Sequence, residues 1–146
     1  KKSFNFFKIY ILAVISNFMI YHVTKGIRVS VKTHYDGSYY KNYNLHFSFS
    51  YNIKITNQSK NTVQLKTRHW RIFDSLSNDV IVDGDGVVGK KPLLNPGDSY
   101  QYNSGCLITS PVGAMRGFYN MIDVNSGQKF RAYIPTFKLN APQALN

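Results

Sequence analysis

The chain has 146 residues, one domain's worth, and a domain of that size buries roughly two thirds of its unfolded surface, so it can fold without staples. Its single cysteine, Cys106, excludes an intrachain disulfide and a cysteine-paired metal site, and suits a small core residue in a reducing, cytoplasmic compartment. The formal charge of +11 comes from 18 Lys and Arg against 7 acids, all Asp; it is spread out, follows a codon-biased Lys, Asn, Tyr and Ile composition, and accompanies no basic helix or RNA-binding signature, so nucleic acid is not expected as a partner.

Residues 1–8 form a basic, aromatic-rich lead, and residues 9–21 are almost continuously apolar. This resembles a signal peptide, but Ser16-Asn17 interrupts the run and no small-x-small cleavage site follows. The run is also short of the about 20 residues that a hydrocarbon core requires. The domain is therefore expected to begin at Met19. Residues 1–18 are read as an N-terminal extension, helical or disordered and contributed by upstream sequence, with a membrane anchor as the alternative and no stable insertion expected.

From Gly26 the apolar period is two. Ile27, Val29 and Val31 alternate with polar residues, then the turn signals Asp36-Gly37 and Asn42 to Asn44 follow. Residues 45–55 give the clearest strand: Leu45, Phe47, Phe49, Tyr51, Ile53 and Ile55 share one face, whereas a helix would scatter them. After turn residues 57–61, Val63 and Leu65 begin another strand, but the apolar parity then shifts to Trp70 and Ile72. One inserted residue would put both sets on one face, so the spacing predicts a β-bulge at residues 66–68. Further strands are expected at residues 79–82, 99–103, 106–109, 115–123 and 128–134, with Asn125-Ser-Gly127 closing a hairpin between the last two. Pro135 cannot donate to a ladder, which puts the last strand at an edge or ends it soon after Ile134. No window after Met19 carries a capped helical stripe. About seven short strands predict an all-β, antiparallel β-sandwich of immunoglobulin or fibronectin type III style.

Several long motifs stand in one order: Arg68-His-Trp-Arg-Ile, Gly84-Asp-Gly-Val-Val-Gly-Lys-Lys-Pro-Leu-Leu-Asn-Pro-Gly97, Tyr102-Asn-Ser-Gly105, Pro111-Val-Gly-Ala-Met-Arg-Gly117 and Tyr119-Asn-Met121. With the ending from Ile134 onward, they make residues 19–146 resemble the ApaG family. The resemblance implies a fibronectin-like sandwich. It also implies an association with cobalt and magnesium efflux or resistance and with dinucleoside polyphosphate hydrolysis, and a use of related domains as interaction modules.

The Gly84-x-Gly86-x-x-Gly89 spacing matches a dinucleotide fingerprint, and residues 84–90 approach a P-loop. Both chemistries need a helix whose first N–H groups hold phosphate, and Pro92 and Pro96 forbid one here. The surviving anion-site candidate is a helix-free nest of backbone N–H groups at Gly84, Gly86 and Gly89, with Arg68, His69, Lys90 and Lys91 as cationic donors. It would take nucleotide or pyrophosphate. The plain alternative is a loop whose glycines supply positive φ. Asp83 and Asp85 are weak candidates for Mg²⁺, and the four histidines lack paired ligand spacing. His69 should face outward because Trp70 faces the core. No carboxylate pair, Gly-x-Ser-x-Gly elbow or cysteine with a base is apparent, so no catalytic residue and no enzyme activity are expected. The primary expectation is a non-enzymatic accessory domain that binds a protein partner, to which exposed tyrosines among the eleven would contribute.

Overall fold

The computed structural model describes residues 19–142. The expected extension over residues 1–18 and the chain ending at residues 143–146 lie outside the described residues. Within them there are nine strands: β1 (Ile20–Thr24), β2 (Ile27–Lys41), β3 (Asn44–Asn57), β4 (Val63–Asp74), β5 (Val80–Asp85), β6 (Leu93–Leu94), β7 (Ser99–Ile108), β8 (Val112–Asp123) and β9 (Lys129–Asn140). They pair antiparallel in two sheets. The first runs β1-β2-β3-β7; the second runs β5-β4-β8-β9, with β6 also paired to β4. Facing one another, the sheets form the expected antiparallel sandwich. Among the described residues no helix is long and apolar enough to cross a membrane.

The differences from the expected strands have local causes. The β1 sequence Ile-Tyr-His-Val-Thr lacks alternation, and its hairpin to β2 turns on Lys25 and Gly26, both at positive φ. Asp36-Gly37 is not a turn: β2 runs through it, with a register shift between Tyr35 and Gly37 taking up the extra residue. The turn falls at the second expected signal, on Asn42 and Tyr43, with φ of 50° and 64°. Ser104-Gly105 likewise reads as a break, yet β7 continues across it, paired with Tyr51 and Ser50 of β3. At Gly105 a Cβ would stand 2.8 Å from the Phe49 carbonyl oxygen, so glycine here permits close strand approach.

The core lies between the sheets and uses the predicted parity. Val29, Val31, Phe49, Ile53 and Ile55 from the first sheet meet Leu65, Trp70, Met115, Met121 and Leu139 from the second, all buried. Burying such side chains stabilises by about 1.5–3 kcal/mol each. Trp70 sits among Tyr51 and Phe137, with ring centroids 5.5 and 5.9 Å away.

Two register shifts shape the second sheet. Between β4 and β8, Leu65 pairs with Met121 but Thr67 pairs with Asn120, which leaves Lys66 as the inserted residue. That is the irregularity the parity change predicted, and it brings Leu65 and Trp70 to the same buried face. Between β8 and β9, Met115 pairs with Phe137 and Gly117 with Ile134. Pro135 falls in this gap on an edge strand, so β9 continues past it to Asn140.

The two sides of the sandwich differ. On one, β1 and β2 lie against β9, and the Tyr133 N–H donates to Thr24 Oγ1 at 3.2 Å. On the other, the edges β5 and β7 flank a cleft.

Candidate functional site

The Lys66 bulge decides where the basic residues of β4 point. Beyond it Arg68 shares the inward parity of Trp70, while His69 and Arg71 take the outer face. Arg68 lies opposite Gly84 of β5, and its guanidinium occupies the space a side chain there would need. A Cβ on Gly84 would stand 2.6 Å from the guanidinium carbon. One guanidinium nitrogen, Nη1, donates to the carbonyl oxygens of Asp85 at 2.9 Å and Gly86 at 3.0 Å.

The glycine loop beyond is a tight hairpin. Gly86 N–H donates to the Lys66 carbonyl at 2.8 Å, and Val87 and Lys90 exchange N–H to carbonyl bonds at 2.8 and 3.0 Å. Val88 and Gly89 form its tip with φ of 48° and 74°. The amides of Gly86, Val87 and Lys90 are therefore committed within the backbone, and those of Val88 and Gly89 remain at the exposed tip. Pro92 leads into β6, whose pairing with β4 replaces the helix a phosphate motif would need.

The sequence candidates consequently divide into three groups. Arg68, Gly84 and Gly86 come together at the cleft. His69 and Asp83 meet on the opposite face of the sheet, where His69 Nδ1 lies 2.5 Å from Asp83 Oδ1 and its ring stacks on Phe118 at 4.7 Å. Gly89, Lys90, Lys91 and Asp85 stand at the exposed rim, with Lys91 Nζ 3.9 Å from the Asp85 carboxylate. Among the described residues no three His, Cys, Asp or Glu side chains converge as a metal-binding group.

The cleft beside Arg68 has a volume of about 390 Å³, and its walls include Tyr51, Trp70, Tyr102, Val88 and Cys106. Burial pushes the Tyr51, Tyr102 and Tyr119 hydroxyls above their ordinary range, and the Tyr102 and Tyr119 hydroxyls bond to one another. Burial also pushes the Cys106 thiol up to about 11. At neutral pH these groups are uncharged, and Arg68 is the only charged side chain among the described residues lining the cleft. Tyr51 was legible on the apolar face of its strand, but none of these tyrosines as a wall of a site, because their convergence depends on which strands become edges.

A larger hollow of about 560 Å³ lies on the outer face of the second sheet, between Lys66 and Arg131. The Arg131 guanidinium rests over the Phe118 ring at 4.2 Å, while His69 stacks on the same ring.

Fold and cleft together define a fibronectin-type β-sandwich with an arginine at the opening between its sheets. A family model described as the ApaG domain matches residues 37–123. Protein ApaG of Methylorubrum populi is 42% identical over 119 residues, covering 82% of this chain and 91% of the relative. That of Rhodospirillum centenum is 39% identical over 124 residues, covering 85% and 95%. An X-ray structure of a structural genomics target has a TM-score of 0.75 at 40% identity, covering 80% of this chain and 88% of that one. A crystal structure named for the ApaA protein of Bordetella pertussis has a TM-score of 0.70 at 35% identity, covering 84% and 96%. The chain belongs to the ApaG domain family.

Proposed function

We propose that this chain is a non-enzymatic ApaG-family interaction domain of the cytoplasm, which supports cobalt and magnesium tolerance indirectly by engaging a protein partner. The observation that carries this reading is the state of β7. It is an edge strand, Ser99–Ile108, and its sequence Ser-Tyr-Gln-Tyr-Asn-Ser-Gly-Cys-Leu-Ile contains neither a charged residue nor a proline. Edge strands are ordinarily blunted by such residues, because their outward N–H and C=O groups otherwise accept another strand. Beyond its ladder with β3, none of the backbone bonds found among the described residues involves β7. The neutral cleft walls add a second support: Cys106 is held protonated, and among the described residues no histidine or carboxylate lines the cleft to activate it.

The test is cobalt tolerance in cells lacking the gene. Restoration is expected from the wild-type chain and not from Asn103→Lys/Leu107→Lys, which places two lysines on the exposed edge of β7. Equal restoration by a folded double variant would overturn the reading.

A second reading is binding of a small anion, nucleotide or pyrophosphate with or without Mg²⁺, at Arg68 and the loop rim of Lys90 and Lys91. What favours it is Arg68 itself, a partly buried cation that forms no ion pair among the described residues. Amide NMR titration with pyrophosphate and Mg²⁺ tests it: shifts centred on residues 84–91 are expected, and their absence at millimolar ligand eliminates it.

A further inference from the structure

We infer that the open side of the sandwich receives an extended acidic segment of another protein, which adds as a strand to β7 and turns one Asp or Glu side chain inward onto Arg68. This rests on the interaction-domain reading above and specifies the partner's chemistry.

Geometry supplies the first element. An added strand would pair with the outward backbone groups of β7, and its side chains would alternate between solvent and the space between the sheets. That space is the cleft of about 390 Å³, bounded by Tyr102 to Cys106 on one side and by Val82, Val87 and Val88 on the other. The cleft therefore takes the inward side chains of whatever pairs with β7.

Charge supplies the second. Arg68 is held in place by the carbonyls of Asp85 and Gly86, both on Nη1, and among the described residues Nε and Nη2 have no acceptor. A guanidinium fixed in this way, among uncharged walls, is arranged for a carboxylate that approaches its free edge. No Asp of the 146 residues supplies that side chain. All seven Asp lie in the described residues, none pairs with Arg68, and residues 1–18 and 143–146 contain neither Asp nor Glu. A second copy adding β7 to β7 would bring no carboxylate either, since that strand has none.

Position distinguishes a side chain from a chain terminus. Tyr102 to Cys106, the β7 residues at the cleft, stand in the interior of a strand that runs from Ser99 to Ile108. A segment pairing along the strand passes Arg68 and continues, so the carboxylate belongs to a residue within it.

The experiment uses ten-residue peptides of alternating threonine and valine with blocked ends, carrying either Glu or Gln at the centre. A third peptide carries Gln and a free carboxyl terminus at the corresponding position. Trp70, the only tryptophan, lines the cleft and reports binding by its fluorescence, while amide exchange of β7 reports pairing. The Glu peptide is expected to bind about tenfold more tightly than the Gln peptide, the scale of one charge-assisted hydrogen-bonded contact. It should also protect the outward amides of β7. In Arg68→Gln the two peptides should bind alike, and Arg68→Lys should retain part of the preference. The peptide exchange leaves the protein unaltered, so it is informative even if an Arg68 variant unfolds. Equal binding of Glu and Gln peptides, absence of binding to 1 mM, preference for the free terminus, or β7 protection that grows with protein concentration alone would each overturn the inference. None of those outcomes touches the cobalt-tolerance result, so the interaction-domain reading stands or falls separately.

Discussion

At Gly84 and Gly117 the same substitution meets different obstacles. A Cβ on Gly84 meets the guanidinium of Arg68, the far end of a flexible side chain, whereas on Gly117 it meets the His69 carbonyl oxygen of the β4 ladder. The guanidinium can retreat at the cost of its bonds to Asp85 and Gly86; the ladder cannot move without opening. Gly84→Ala is accordingly expected to lose about 1–3 kcal/mol in denaturant unfolding, in the range of overpacked sites. Gly117→Ala should lose more. The residue scale also accounts for the Gly-x-Gly-x-x-Gly spacing. Gly84 makes room for an arginine, Gly86 has a φ of 58° and a close approach to the Lys90 carbonyl, and Gly89 completes a turn. These are three separate steric reasons for glycine, and their spacing follows from a strand ending in a hairpin.

At the scale of elements, the parity change from Leu65 to Trp70 was sufficient to place the bulge, because a strand with one buried face cannot slip by one residue without exposing its core set. The same bulge decides that Arg68, and not His69, takes the inward face. That consequence was legible in principle: a bulge before Arg68 turns its parity to that of Trp70. What was not legible was pairing. No local signal distinguishes β7, which becomes an edge, from β3, which becomes central, since both alternate and both carry tyrosines. The short β6 and the uninterrupted course of β7 through Ser104-Gly105 likewise depend on neighbours distant in sequence. For β7 itself, hydrogen exchange followed by NMR should give an alternating pattern, with amides bonded to β3 protected and the intervening ones exchanging near the rate of an unstructured chain. Uniform protection along Ser99–Ile108 would mean that the edge is already covered in solution.

For the molecule as a whole, the two sheets are joined through one carboxylate as well as through the core. Asp74, at the end of β4, accepts hydrogen bonds from the Thr109 N–H at 2.6 Å and the Thr109 hydroxyl at 2.7 Å, and from the Leu76 N–H at 3.1 Å. Thr109 follows β7, so this contact spans from one sheet to the other. Burial pushes the Asp74 carboxyl up, but the donors from Thr109, Leu76 and Ser110 together outweigh it and hold it below the ordinary carboxylate range. A carboxyl lowered on folding stabilises the native state above its unfolded value, about 4, and that contribution is lost as pH falls through the folded value. Asp74→Asn is expected to cost about 1–3 kcal/mol at neutral pH, the loss of buried hydrogen bonds to a charged acceptor. In urea unfolding from pH 7 to pH 2 the gap between wild type and variant should narrow only below about pH 4; a gap constant throughout would assign the loss to packing instead. The sandwich and its core faces were thus legible from period and parity, while the cleft and the inter-sheet carboxylate contact arise only once the chain has closed.

The hydrogen bond from Tyr133 to Thr24 joins positions separated by 109 residues. During synthesis β1 and β2 emerge early, yet the strand against which they rest is made last. The nascent chain must therefore carry the inner flank of β1, with the half-buried Ile20 and Thr24, through most of translation before β9 can rest against it. Contacts of such long sequence separation form slowly and leave strand edges open to wrong partners in the meantime. Stalling translation before β9 should accordingly leave a protein sensitive to proteases and prone to aggregate, although most of its strands have already been made.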